Sequence, residues 1–240
     1  QKGHDVYLFD FQDYSTNIEA INRKGGITST GMLNGFVELK YAGCDIEKVI
    51  KGAELIFVVG PAYSTEAFAN AAKPYLEKGQ IIVVCPSSCG GSIVFKNTIG
   101  VELDNDDYII AETSTLPYAV RVIEPGNINV FLKLKGGLFI AAIPSKNTDK
   151  VYSLLKDVYP ALIPAKNVLQ TTLQNANPII HPAVSLLNVA LIERTMGNFY
   201  FYEEGVTEGV GRLIEEADKE RIEIGKRLGF DIIKDPVLGM

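Results

Sequence analysis

The 240 residues contain no tryptophan, two histidines and three cysteines. Cys44, Cys85 and Cys89 are an odd number at irregular spacing, which excludes a dense disulfide framework. Cys85 and Cys89 stand four apart with no second pair to complete a tetrahedral zinc site. Free thiols in a reducing cytoplasm are the expectation. No apolar run approaches the ~20 residues of a membrane span, and no secretory leader is visible. The net charge of −6 leaves no basic excess for a nucleic-acid partner. The chain lacks an initial Met, enters a strand almost at once after Gln1 and stops at Met240 soon after a helix. It reads as an internal piece of a longer protein.

What is present is ordinary for a globular chain, 47% hydrophobic and 22% charged. The length suits one large domain or two small ones. Gln1 to His4 read as the end of a helix with Gly3 as its stop, and Asp5 to Asp10 as a short strand closed by an acid. Asn17 to Asn22 suits a helix. Glycines 25, 26, 31 and 35 punctuate a loop-and-strand stretch. Asp45 caps a short helix. Glu54 to Gly60 and Ile81 to Cys85 are apolar throughout and predict fully buried strands, separated by a helix from Thr65 to Leu76. This alternation predicts a parallel sheet with helices on both faces. Tyr108 to Thr113 predicts a further strand. Val130 to Leu134 and Leu138 to Ile143, joined through Gly136 and Gly137, predict a hairpin, and Asp149 to Val158 a helix. From Asn167 the pattern turns to long helices, Ala183 to Arg194 and Val206 to Leu228. A boundary near Ala165 divides the chain into residues 1–165 and 166–240.

Five stretches carry candidate chemistry. Asp10 ends a strand, where an acid accepts hydrogen bonds from an adenosine ribose; an acid there is equally a solvated loop residue. The G-x-G-x-x-G fingerprint that would precede it is absent. Gly60 and Pro61 follow a buried strand, where open α/β sheets bind ligands, or where an ordinary turn begins. Residues 85–92, Cys-Pro-Ser-Ser-Cys-Gly-Gly-Ser, form a small-residue loop whose amides suit an anion; no histidine near Cys89 supports a nucleophile. Residues 111–121 gather Glu112, Thr115 and Arg121, whose planar fork fits a carboxylate, although such a loop is also tied down by its own hydroxyls. Asp218 and Arg221, three apart, share a helix face. Most such pairs are solvated ions, but an acid on the inner face would orient His181 and raise its pKa. His181 stands in Asn-Pro-Ile-Ile-His-Pro-Ala (177–183), with Pro182 suited to a first helical turn. A lone histidine there is either a buried, hydrogen-bonded core residue or an acid/base.

Taken in order, residues 111–118 (AETSTLPY), 167–169 (NVL), 175–188 around His181, 201–207 (FYEEGVT) and 218–221 (DKER) resemble the opine dehydrogenases, the octopine/nopaline dehydrogenase family. The resemblance covers nearly the whole chain. It implies an α/β Rossmann domain followed by an all-helical C-terminal domain of the 6-phosphogluconate-dehydrogenase-like type, with substrate in the cleft. The first strand and glycine loop, and the family's later helices, are missing, which reads as truncation. The implied activity couples an amino acid to a 2-oxo acid such as pyruvate and reduces the imine with NAD(P)H, on a CH–NH bond. His181 matches the acid/base, with Asp218 as its candidate partner, although an aspartate beyond Met240 is the alternative. Asp10, Gly60 and Pro61 are the cofactor candidates, and Thr115, Arg121, Asn177 and Arg221 the substrate contacts. Val120 stands where some members carry cysteine, so contacts there differ. Asp10 favours NAD over NADP, because a carboxylate repels a 2′-phosphate. The expected protein is a cytoplasmic monomer or homodimer with no metal. A 2-hydroxy acid or sugar-phosphate dehydrogenase usually needs a lysine near the nicotinamide, and residues 170–194 hold none. A non-catalytic dinucleotide sensor would bury His181 away from the cleft.

Overall fold

The computed structural model describes residues 3–234; Gln1 and Lys2 of the expected leading helix lie outside them. The first half runs β1 (Tyr7–Phe9), α1 (Ser15–Lys24), β2 (Gly26–Gly31), β3 (Gly35–Glu38), β4 (Tyr41–Gly43), α2 (Ile46–Ile50), β5 (Leu55–Val58), α3 (Thr65–Ala72), β6 (Ile81–Val84), α4 (Gly91–Ile99) and β7 (Ile109–Thr113). Then come β8 (Tyr118–Glu124), β9 (Asn127–Lys133), β10 (Leu138–Ile143), α5 (Thr148–Leu155) and β11 (Leu162–Pro164). Helices follow: α6 (Val168–Gln174), α7 (Asn177–Leu187), α8 (Val189–Arg194) and α9 (Glu208–Arg227). The architecture is a mostly parallel Rossmann-type sheet with a helical region after it.

The main sheet has the order β11-β10-β7-β6-β5, with β10 antiparallel to β7 and the other pairs parallel. Its alternate residues bury against opposite layers. Ile81, Val83, Ile109 and Ile140 pack on Val151 and Leu155 of α5. Ile82, Val84 and Ile110 pack on Ala69 and Ala72 of α3 and on Phe95 and Ile99 of α4. β6, β7 and β10 are therefore wholly buried, as continuous apolar runs require. β5 is not: Phe57 is 37% exposed, because β5 is the edge strand of this sheet.

The expected hairpin of residues 130–143 does not form. β9 pairs with β8 through a turn at Pro125 and Gly126, and joins β2 and β3 in a separate four-stranded sheet, while β10 enters the main sheet. β8 carries no clear strand signal in the sequence, since Tyr118 to Glu124 mixes apolar and charged residues without a clean period. Tyr118 and Phe57 both meet the Tyr159 ring at 6.0 Å, tying this sheet to the main one. Burial pushes the Tyr159 phenol up to about 12. Asp45 occupies the cap position before α2, but its side chain makes no capping bond and pairs with Lys48 at 3.3 Å.

Lys96 of α4 is buried with its ammonium on the carbonyls of Leu103 (3.0 Å), Asn105 (2.8 Å) and Ile143 (3.3 Å). Burial lowers its pKa, opposed by Asp106 and Asp104. Burial also raises the Cys85 thiol, against a smaller lowering by its hydrogen bond with Thr113. A raised thiol stabilises the fold fully below its ordinary range, and that contribution is lost as pH climbs through the folded value. Thiol labelling near pH 8 should therefore modify exposed Cys89 at once and leave Cys85 intact until the protein unfolds. Prompt labelling of Cys85 would contradict its burial.

Candidate functional site

Because β5, β6 and β7 are parallel, their carboxyl ends share one edge of the sheet. Val59, Gly60 and Pro61 leave β5 there, residues 85–90 leave β6, and Ser114 and Thr115 leave β7. A Cβ on Gly60 would stand 2.4 Å from Ser64 Oγ, which is itself bonded to the Pro61 carbonyl at 2.7 Å. A side chain at this position would have to displace the Ser64 hydroxyl from that bond. Asp10 follows β1, and its carboxylate accepts the Phe11 N–H at 2.8 Å. Phe11 and Phe9 pack on Phe68 of α3 at 5.0 and 6.3 Å, bringing the end of β1 to the helix beneath Gly60.

The β6 end turns through three residues in the left-handed region, Ser88, Cys89 and Gly90, with φ of 47°, 95° and 75°, and enters α4. The Gly90 N–H donates to Ser87 Oγ and to Thr172 Oγ1 of α6, both at 3.1 Å. Here the helical region touches the sheet's carboxyl edge. Deeper, the fully buried Glu112 of β7 accepts the Ser92 N–H (3.1 Å), the Ser92 hydroxyl (2.5 Å) and the Thr171 hydroxyl (2.5 Å). One carboxylate therefore joins β7, the first turn of α4 and α6. Thr115 lies half-buried at the β7 exit, its carbonyl accepting from Thr113 at 2.9 Å.

His181 lies in the second turn of α7. The helix starts at Asn177, with Pro178 in its first turn and Pro182 inside, not at the N-terminus as its sequence suggests. Pro182 lacks the N–H that would bond the Pro178 carbonyl. The apolar stretch is also not one buried helix. Ile180 and Val184 pack on Val210 and Ile214 of α9, whereas Leu186 is 71% exposed. The helix breaks at Asn188, whose amide donates to the carbonyls of Val184 (2.8 Å) and Gly205 (3.0 Å). The His181 side chain is exposed. It meets Tyr202 Oη at 3.3 Å through Nε2 and the edge of Phe201 at 5.4 Å. Asn177 is exposed one turn earlier on the same face.

The expected pairing of Asp218 with His181 does not occur. Asp218 is 1% exposed and bonded to Arg221 Nε at 2.7 Å. Arg221, expected as a substrate contact, is 6% exposed and also binds the carbonyls of Leu173 and of Ile233, the latter at 2.9 Å. The pair faces inward because positions 214, 218, 221 and 225 form the buried stripe of α9. Arg121 stands on β8, its guanidinium 5.4 Å from the Phe131 ring centre. Sequence reasoning missed the roles of Tyr202, Thr171 and Thr172. A turn brings Tyr202 back to His181 from 21 residues away, and no local pattern encodes that. Among the described residues no group of His, Cys, Asp and Glu could hold a metal ion, and no helix is long and apolar enough to cross a membrane.

Gly205 keeps the turn against α7. A Cβ there would meet the Phe201 carbonyl at 2.4 Å, Val184 Cγ1 at 2.6 Å and Phe199 Cζ at 2.7 Å. Gly205→Ala should therefore cost roughly 1–3 kcal/mol by overpacking, read as a lower urea midpoint, and displace Tyr202. An unchanged midpoint would show that the turn yields.

Residues 164–237 match the family model of the NAD/NADP octopine/nopaline dehydrogenase alpha-helical domain. An opine dehydrogenase of Arthrobacter sp. (strain 1C) is 31% identical over 232 residues, 96% of this chain and 63% of that protein. The solved structure of apo yersinopine dehydrogenase superposes with TM-score 0.76 at 15% identity, over 95% of this chain and 59% of that one. Octopine dehydrogenase with NADH and pyruvate superposes with TM-score 0.72 at 19% identity, over 94% and 60%. The chain thus spans about three-fifths of the length of these proteins. The chain is similar to the opine dehydrogenases over almost its whole length, and its residues 164–237 match the family's alpha-helical domain.

Proposed function

We propose that the chain is the catalytic part of an opine dehydrogenase, condensing the amine of an amino acid with a 2-oxo acid of the pyruvate class in an NAD(P)H-dependent reaction. The observation that carries this reading is His181, solvent-open on α7 within the family's helical domain, in a region that reaches the sheet's carboxyl edge at Gly90. We divide the chain near Ala165 into a dinucleotide-binding part, 1–165, and a substrate part, 166–240. The location is the cytoplasm, consistent with three free thiols, and the assembly a monomer or homodimer, which light scattering separates.

Asp10, Gly60 and Pro61 fit the adenosine and ribose side of a dinucleotide. The carboxylate is oriented by the Phe11 N–H, and Gly60 and Pro61 leave β5 at the sheet's carboxyl edge. The acid favours NAD over NADP. When bound, the reduced cofactor supplies hydride to the imine carbon. His181 takes a proton from the substrate ammonium, so that the freed amine can attack the oxo carbon, and returns it to the hydroxyl that leaves as water. Asn177, on the same face, and Thr115, at the β7 exit, hold the substrates for that attack. Arg121, on a separate sheet, is not part of this reading.

The test is NADH oxidation by the intact protein with a 2-oxo acid, with and without a panel of amino acids. Oxidation that needs both partners supports the reading. Oxidation with the oxo acid alone would make it a 2-hydroxy acid dehydrogenase, and NADH binding without turnover would make it a sensor.

A further inference from the structure

We infer that Thr172 is a positioning residue for the dinucleotide, holding from the helical region the β6 turn along which the cofactor runs; the inference rests on the dinucleotide reading above. An adenosine ribose on Asp10 leaves the rest of the cofactor to run past Gly60 along the carboxyl edge. The next strand on that edge is β6, which ends in the turn of residues 85–90.

Ser88, Cys89 and Gly90 all stand at positive φ. Residues with side chains avoid that region, and a run of them persists only where its surroundings fix it. Ser87 does so from the sheet. It is 2% exposed. Its N–H donates to the Thr113 carbonyl at 2.8 Å and its carbonyl accepts the Gly91 N–H at 3.1 Å, while its hydroxyl oxygen accepts the Gly90 N–H at 3.1 Å. From the helical region, Thr172 Oγ1 accepts the same Gly90 N–H at 3.1 Å.

Thr172 is itself fixed. Asn167 caps α6, its side-chain oxygen accepting the Leu169 and Gln170 N–H groups at 3.0 and 3.3 Å. Val168 packs on Phe139 and Ala141 of β10, with Ile93 of α4 against the same cluster. Thr171, fully buried, gives its hydroxyl to Glu112. The next residue is thereby delivered to the β6 turn, so one hydroxyl of the helical region sets a turn of the dinucleotide-binding part. When Thr172 loses that hydroxyl, Ser87 keeps its own bond to Gly90. The fold then survives and the turn alone loosens, so stability and cofactor affinity should separate.

The experiment measures amide hydrogen exchange of Gly90 in the cofactor-free intact protein, and NADH affinity from the cofactor's fluorescence, in wild type, Thr172→Val and Thr172→Ser. Valine puts a methyl where the hydroxyl stood, and serine keeps the hydroxyl. Thr172→Val should exchange Gly90 faster and bind NADH about 3–10-fold more weakly, the worth of one neutral hydrogen bond. KM for NADH should rise by more than kcat falls, and the urea midpoint should stay near that of wild type. Thr172→Ser should restore both exchange and affinity. Unchanged exchange or affinity in Thr172→Val, or a loss that serine shares, overturns the inference. A urea midpoint that falls in step with affinity also overturns it, marking a contact that serves the fold alone. A wild-type protein that binds no NADH is a different failure, which overturns the dinucleotide reading itself.

Discussion

Arg221→Met should destabilise the fold by about 3–5 kcal/mol. The side chains of Asp218 and Arg221 are 2% and 5% exposed, and Oδ1 takes contacts at 2.7 Å from both Nε and Nη2. Among the described residues Oδ2 has no hydrogen-bond partner, so there the acid depends on one cation. Removing the guanidinium strands a buried carboxylate and also frees the carbonyls of Leu173 and Ile233. Replacing both residues, Asp218→Leu with Arg221→Met, should recover most of the loss, because a packed apolar pair often matches a buried ion pair. Equilibrium urea unfolding of the three variants tests this. A single-variant loss comparable to that of an exposed pair, about 0–1 kcal/mol, would contradict the burial. The pair joins α9 to the last turn of α6.

Glu112→Ala should cost about 4 kcal/mol, because it leaves two donors of Ser92 unsatisfied at about 1–3 kcal/mol each and removes charge-assisted bonds. Thr171 is less affected, since its hydroxyl also reaches the Val168 carbonyl at 2.9 Å. Glu112→Gln should lose roughly half as much, keeping one acceptor but presenting an amide donor to hydroxyl donors. The loss should appear in the urea midpoint of the intact protein, together with weaker NADH binding as α6 loosens from the Gly90 turn. If Glu112→Ala unfolds at the wild-type midpoint, the carboxylate does not join these elements.

The contrast between Ile82 and Tyr202 shows what the chain discloses. Ile81 to Val84 is apolar without alternation, and that pattern alone places it between two helical layers, as found. β5 carries the same pattern but lies at the sheet edge, and an edge position depends on what pairs beside the strand. The Gly136–Gly137 signal pointed to a hairpin, but β9 found partners in β8 and β2; long-range pairing overrode turn chemistry. In the helical region, the exposed His181 was legible through its motif. Its partner was not, because the three-residue spacing of Asp218 and Arg221 encodes their mutual pairing and says nothing of which way the stripe faces. Glu112 was visible as an acid at a strand end, but Ser92 and Thr171 reach it from 20 and 59 residues away.

In the proposed reaction His181 moves the proton that makes the amine nucleophilic. Its most direct test is single-turnover reduction by the intact protein and by His181→Ala, with NADH, pyruvate and the most active amino acid, alongside NADH affinity. A loss of about 10²–10⁴-fold in the chemical step, with NADH affinity unchanged, is the predicted result. A His181→Ala enzyme that turns over at the wild-type rate would contradict the account.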